Sequence, residues 1–261
     1  MMMSCGQNVD FDWNGFDTAV YYAHNYLNLR DDDRQIIEQV GDHFVDVLDD
    51  LQGLRGIDVG TGPNLYPALT MLPFCAEVTL FEHAKTNLDW LDEQKVNNWP
   101  SWDDAWGECW KVLSDRPVYQ RFDNPRNKLR ERAYVEPGNV YELSPAKPYD
   151  IGTMFFVAES ITERESEFRS AVDHFLDALV PGAPFAIAFM EHSAGYHVAD
   201  HQYPATDIDD RTVRGSLRKR VTKVDIRRIE TGDKPLRDGY TGMLLALGRV
   251  NADIREGGPA T

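Results

Sequence analysis

The stretch from Gly56 to Tyr66 reads GIDVGTGPNLY, and its Asp58, Gly60 and Gly62 place a carboxylate and two glycines where an apolar run ends. Glycines in such a turn let the backbone approach a ligand closely, and in an open α/β sheet ligands occupy the crevice beyond the carboxyl ends of the strands. A dinucleotide fingerprint would add a third glycine at the mouth of the next helix. Here Pro63, Asn64 and Leu65 follow instead, which argues against a nicotinamide-dependent oxidoreductase. Glu159 and Glu191 close two later apolar runs and Asp238 precedes another, positions from which carboxylates could recognise an amine and take or relay its proton. His192, His197 and His201 come next to Glu191. An imidazole there would serve as base toward a hydroxyl group, and the spacings also admit a metal, but no adjacent carboxylate set of the kind that holds magnesium accompanies them, so no metal is expected. The plainer alternative for each is a turn glycine or a solvated loop side chain.

The pattern around Asp58, Gly60, Gly62 and Pro63 resembles the first motif of S-adenosylmethionine-dependent methyltransferases. That resemblance implies a turn that accommodates the methionine part of the cofactor, and an acidic residue about 20 positions on that holds the ribose hydroxyls, the place taken by Glu82. More narrowly, GIDVGTGPNLYPAL followed by VTLFEHAKTNLDWLDE is similar to the nicotinamide, phenylethanolamine and indolethylamine N-methyltransferase family, through Gly60, Gly62, Pro63, Tyr66, Glu82 and Asn87. By the same resemblance YYAHNYLNL is the cap segment that sets Tyr22 and Tyr26 over the cofactor, and His83 and Val140 join the cofactor set. Asn139, in VEPGNV, stands where members often carry an aspartate facing the adenine. FFVAESI brings Glu159 to an acidic substrate contact, and the stretch through Glu191, His192, Tyr196 and Tyr203 corresponds to a strand, a polar triplet and a tyrosine-bearing helix over the substrate.

Methyl transfer is an in-line displacement, so a protein serving it chiefly aligns a lone pair and excludes water. Glu159, Glu191 and His192 are the catalytic candidates, and Tyr196, Tyr203 and Asp238 the substrate contacts for an amine or flat heterocycle. Two other readings stay open: O-methylation with a histidine base, and cofactor binding without catalysis.

The elements that would hold these residues show in the periodicity. LRGIDVG, AEVTLFEH, YDIGTMFFVAE and APFAIAFME read as strands alternating with helical patterns, and KRVTKVDIRRIETG and GYTGMLLALGRV as antiparallel strands that end the sheet. The fold class is α/β: with the resemblance, a Rossmann-like methyltransferase, its mostly parallel seven-stranded sheet covered by helices on both faces. Residues 1–50 form a helical cap, 51–250 the main domain with an insertion at 97–135, and 251–261 a loose tail. Ser160 and Glu163 offer a capping box to the helix carrying Phe168, Val172, Phe175, Leu176 and Leu179. Trp99, Trp102, Trp106 and Trp110 follow one another at helical spacing, which predicts an amphipathic helix packed on the sheet or roofing a cleft.

A net charge of −16 argues against nucleic acid and anionic membranes as partners and leaves a small-molecule substrate. Three cysteines without a C-x-x-C spacing support neither a disulfide framework nor a zinc site. No basic, apolar leader opens the chain and no long apolar run interrupts it, so the expectation is a cytoplasmic protein.

Overall fold

The computed structural model describes residues 6–49, 51–231 and 239–252. Asp238 and nearly all of the tail lie outside the described residues. Strands β1 (Leu54–Val59), β2 (Cys75–Glu82), β3 (Ala133–Pro137), β4 (Ile151–Phe155) and β5 (Pro184–Glu191) run parallel. After a separate hairpin of β6 (Tyr196–Val198) and β7 (His201–Tyr203), β8 (Val221–Ile229) and β9 (Gly242–Val250) complete the sheet, in the order β3-β2-β1-β4-β5-β9-β8. β9 is antiparallel to both neighbours. The seven strands and their antiparallel edge agree with the sequence reading.

Burial of both faces explains why β4, β5 and β9 are apolar with little alternation. Along β5, Ala186, Ala188 and Met190 join the core under α2 (Asp31–Leu48) and α3 (Tyr66–Met71), whereas Phe185, Ile187 and Phe189 pack under α8 (Glu165–Asp177). On the open edge, β8 exposes charged side chains instead, which discourages further strand pairing.

Four local expectations are corrected. The cap is shorter than 50 residues: two 3-10 turns, Asn8–Asp10 and Trp13–Gly15, with α1 (Thr18–Asn25), lie over the strand ends, while α2 buries Ile36, Ile37, Val40 and Phe44 in the main core. The segment 97–135 is built into the domain, because its end becomes β3. Its tryptophans do not share one α-helix. α4 (Lys85–Val96) stops before Asn98 and Trp99, which take positive φ values of 57° and 56°, and a π-helical turn at Trp102–Trp106 leads into α5 (Gly107–Leu113). Trp99 and Trp106 are buried core residues, so the aromatic spacing reflects packing. Lastly, α8 starts at Glu165 without the predicted capping box. Glu163 instead accepts the Gly6 amide hydrogen at 2.6 Å, and Thr162 Oγ1 accepts that of Arg164 at 3.1 Å.

Candidate functional site

β1 and β2 end side by side. Val59 pairs with Phe81, so Gly60 and Glu82 come side by side at the strand ends, with Gly60 donating to the Phe81 carbonyl at 2.7 Å. Gly60 and Gly62 have φ values of +66° and +50°, in the left-handed region that glycine enters without a Cβ penalty. At Gly60 a Cβ would also lie 2.5 Å from Val157 Cγ2.

Glu82 faces this turn from the end of β2. Its Oε2 accepts from Gly62 N at 2.8 Å, and its Oε1 from His83 N and Ala84 N, each at 2.7 Å. Burial pushes the carboxyl upward from its ordinary pKa, and these three amides and the Asn87 side chain oppose the shift by favouring the charged form. A carboxylate is thereby held in a buried wall at the point where the strands stop.

The wall continues through Asn64, Asn139, Val140 and Val157 below, and through Asn8, Trp13, Phe16, Tyr21 and Tyr26 from the N-terminal cap above. Phe155, Phe156, Ser160, Ile161 and Tyr196 close the side toward β4 and the hairpin. The cleft is open to solvent at its mouth and mixes aromatic rings with a few polar groups, as small-molecule sites do. Asn64 Nδ2 is buried at its edge with no hydrogen-bond partner, a donor ready for an acceptor. Asn139 Oδ1 accepts from Tyr141 N at 3.0 Å, so its amide group is turned by a local cap.

Of the predicted cofactor residues, Tyr26, Gly60, Gly62, Glu82, His83, Asn87, Asn139 and Val140 line this cleft. Three do not. Tyr22 packs between Trp90 and Trp106, away from the opening, and its neighbour Tyr21 takes the wall position. Tyr66 points into the core under α2 and donates its hydroxyl to Asp33 at 2.9 Å. Asp58 lies beneath the turn, where Thr153 Oγ1 donates to it at 2.7 Å and burial pushes its pKa up to about 7.

The catalytic candidates are placed off the cleft, each for an identifiable reason. Glu159 turns inward and receives Met190 N at 3.0 Å and Ser160 Oγ at 3.1 Å, a strut between the ends of β4 and β5. Glu191 is engaged by Arg228 at 3.0 Å and Thr241 Oγ1 at 2.7 Å. His192 sits outside with its Nδ1 2.7 Å from Asp207. Among the substrate candidates Tyr196 lines the cleft, and Tyr203 lies behind it, stacked on Tyr196 and Trp13. The tyrosine-bearing helix expected here is the β6–β7 hairpin.

Sequence reasoning missed the Trp13 and Phe16 wall. The signal was present as aromatics set among Asp12, Asn14 and Asp17, where no core periodicity explains them. Among the described residues no cluster of three or more His, Cys, Asp or Glu side chains could hold a metal, and no helix is long and apolar enough to cross a membrane.

A family model described as the NNMT/PNMT/TEMT family matches residues 8–249. Phenylethanolamine N-methyltransferase of Homo sapiens is 23% identical over 198 residues, covering 68% of this chain and 66% of that protein, so just under two thirds of its length. The N-methyltransferase NodS from Bradyrhizobium japonicum WM9, solved with S-adenosyl-l-homocysteine, superimposes with a TM-score of 0.52 at 13% identity, over 91% of this chain and 98% of that one. A 1,6-didemethyltoxoflavin-N1-methyltransferase from Burkholderia thailandensis, solved with 1,6-didemethyltoxoflavin and S-adenosylhomocysteine, gives 0.50 at 15%, over 84% and 80%. These structures establish a shared Rossmann-like architecture.

Proposed function

The chain belongs to the NNMT/PNMT/TEMT family, and from that premise we propose that it transfers a methyl group from S-adenosylmethionine to a nitrogen of a small, flat acceptor. The observation that carries the reading is the buried Glu82 carboxylate facing a double-glycine turn on the wall of the cleft. When bound, the cofactor supplies an electrophilic methyl group on a sulfonium.

The residues present fit that cofactor. Glu82 offers charged acceptors to a ribose diol, and Gly60 and Gly62 leave room for the amino-acid part. Asn64 Nδ2, buried and unpartnered, suits a carboxylate oxygen. Asn139 and Val140 edge the adenine side, with Phe81 beneath.

Beyond the cofactor residues the cleft is aromatic, with Trp13, Phe16, Tyr21, Phe155 and Tyr196 in its lining, and these rings suit the acceptor. Glu159, Glu191 and His192 are all engaged by other protein groups off its wall, which supports an acceptor that needs no carboxylate or imidazole partner. The acceptor therefore arrives with its lone pair free, as a ring nitrogen or an unprotonated amine. Ring faces then accommodate the positive charge that methylation develops. The chain's part is to orient the two reactants and exclude water. Because His192 is bound to Asp207 outside the cleft, the position of this base favours nitrogen over an oxygen acceptor.

The test has two stages. Calorimetry with S-adenosylhomocysteine and with NAD should show binding of the first alone. Radiolabelled S-adenosylmethionine should then label pyridine-type and weakly basic amine acceptors in preference to phenols. Binding without labelling of any acceptor would leave a non-catalytic cofactor protein, and labelling confined to phenols would overturn the nitrogen assignment.

A further inference from the structure

The chain carries its positive charge unevenly. Of its 27 lysines and arginines, eight fall within residues 211–228, a stretch whose one acidic residue is Asp225, in a protein with a net charge of −16. Folding gathers part of this stretch into a groove away from the cleft. α9 (Asp210–Leu217) buries Val213 and Leu217, and its opposite face presents Arg211, Arg214, Gly215 and, just past its end, Arg218, at the i, i+3, i+4 and i+7 spacing of one helical stripe. Arg169 of α8 meets that face. A Cβ at Gly215 would lie 3.4 Å from Arg169 Nη1, so the guanidinium rests against the α9 backbone.

β8 closes the groove from the third side. Thr222 pairs with Arg249 and Asp225 with Leu247, which leaves Lys223 and Val224 in a bulge opposite Gly248, with Lys223 at a φ of +54°. In a regular strand neighbouring side chains leave on opposite faces. Through the bulge Lys223 and Val224 both line the groove, together with Val221. The two carboxylates of the lining are already engaged. Glu165 accepts from Arg169 Nε at 3.0 Å, and Asp209 caps α9 through the Thr212 amide and hydroxyl, each at 2.7 Å. Asp210 holds Arg214 at 2.7 Å. The side chains of Arg211, Arg218 and Lys223 are exposed and have no hydrogen-bond or ion-pair partner among the described residues. Like charges collected on one face repel, and a bound anion would relieve that repulsion.

We propose that this groove is a binding site for a compact polyphosphate, free or carried on a small organic molecule. It shares no lining residue with the cleft, so it is separate from the site assigned to the cofactor. A guanidinium meets phosphate oxygens with two parallel N–H donors; Arg211 and Arg218 supply two such forks, and Lys223 adds a third charge. Val221 and Val224 give an apolar shelf to an organic portion. The surroundings select for a small ligand. Beyond about 8 Å charges are largely screened at physiological salt, so a compact anion responds to the groove alone. A nucleic acid, an anionic membrane or a long acidic peptide also meets the acidic surface around it.

Calorimetry on the full chain with inorganic tripolyphosphate and with uridine 5′-triphosphate, at low and at physiological salt, tests the site. Wild type should bind, more tightly at low salt. Arg211→Gln/Arg218→Gln should weaken binding about ten-fold or more, the loss of hydrogen bonds between charged groups, and Lys223→Gln should weaken it several-fold. Arg211→Lys/Arg218→Lys, which keeps the charge without the forks, should lie between wild type and the glutamine pair. Lys111→Gln/Lys147→Gln removes the same charge from exposed positions outside the groove, and should bind within about two-fold of wild type. Thermal melting checks that each variant is folded, and Lys223→Gln reads the site independently of the arginines. Equal affinity for the two probes supports recognition of the phosphates alone, and tighter binding of the nucleotide supports a part for the valines. No binding of either probe by wild type, an equal loss in the Lys111/Lys147 pair, or a preference for anionic vesicles, duplex DNA or polyglutamate over both probes would overturn the proposal.

Discussion

Glu82 Oε2 lies 2.8 Å from the amide nitrogen of Gly62, 20 residues earlier in the chain, so a side-chain hydrogen bond joins the end of β2 to the turn leaving β1 in the crevice wall. The same carboxylate is the charged acceptor proposed for a ribose diol. Glu82→Ala should therefore weaken S-adenosylhomocysteine about ten- to hundred-fold, the loss of hydrogen bonds to a charged group. It should also lower the Tm, since the Gly62, His83 and Ala84 amides lose their acceptor. Glu82→Gln, which keeps one carbonyl oxygen, should lie between. Calorimetry and thermal melting separate the two effects, and full affinity in Glu82→Ala would remove the residue from the cofactor site.

The other side of the turn makes a steric prediction. Gly60 has both a positive φ and a neighbour, Val157 Cγ2, 2.5 Å from where a Cβ would be. Gly60→Ala should cost about 1–3 kcal/mol in stability, as overpacking does, and displace Val157 into the cleft that it lines. Adding Val157→Ala should recover part of the stability, though not the strain of the left-handed backbone. No recovery in the double variant would mean that the contact with Val157 is not what limits the site.

Much of this was readable in the chain, and the failures have physical causes. Most of the strands and the glycine turn follow from local patterns, because a buried strand must be apolar and a tight turn must be small. The resemblance of YYAHNYLNL points to Tyr22, whereas Tyr21 lines the cleft: a one-residue step on a helix rotates a side chain by about 100°, and a motif of adjacent tyrosines does not fix that angle. Glu159 and Glu191 ended apolar runs as a crevice carboxylate would. Which way such a side chain turns is set by partners distant in sequence, Met190 for one and Arg228 with Thr241 for the other.

That distinction is measurable. Glu191→Gln neutralises a buried carboxylate that pairs with a half-exposed arginine, and His192→Ala loses an exposed pair with Asp207. Both variants should keep the wild-type kcat to within roughly two-fold, since neither side chain lines the cleft. Tyr196→Ala, by contrast, opens the aromatic wall and should raise the acceptor KM with a smaller effect on the cofactor. A collapse of kcat in Glu191→Gln would return that carboxylate to the catalytic group.

Asp33 makes the last prediction, and it concerns pH. Its carboxyl, in the first turn of α2, is buried beside Tyr66, and burial, then the neighbouring Asp32, push its pKa up from 3.8 to about 7, against the hydrogen bond from the Tyr66 hydroxyl. The unfolded chain releases this proton near pH 4, while the folded protein keeps it until about pH 7. Between those values the folded state binds a proton that the unfolded state lacks, so stability falls as pH rises through the window and levels off above it. Asp33→Asn keeps an acceptor for Tyr66 and removes the titration. Asp58, also pushed to about 7, is present in both proteins and cancels from the comparison. Relative to wild type the variant should gain roughly 2–3 kcal/mol between pH 5 and pH 7.5, at about 1.4 kcal/mol per pH unit. Urea unfolding of both proteins at the two pH values measures the difference, and parallel stability curves would show that Asp33 is already ionised in the folded protein at pH 5.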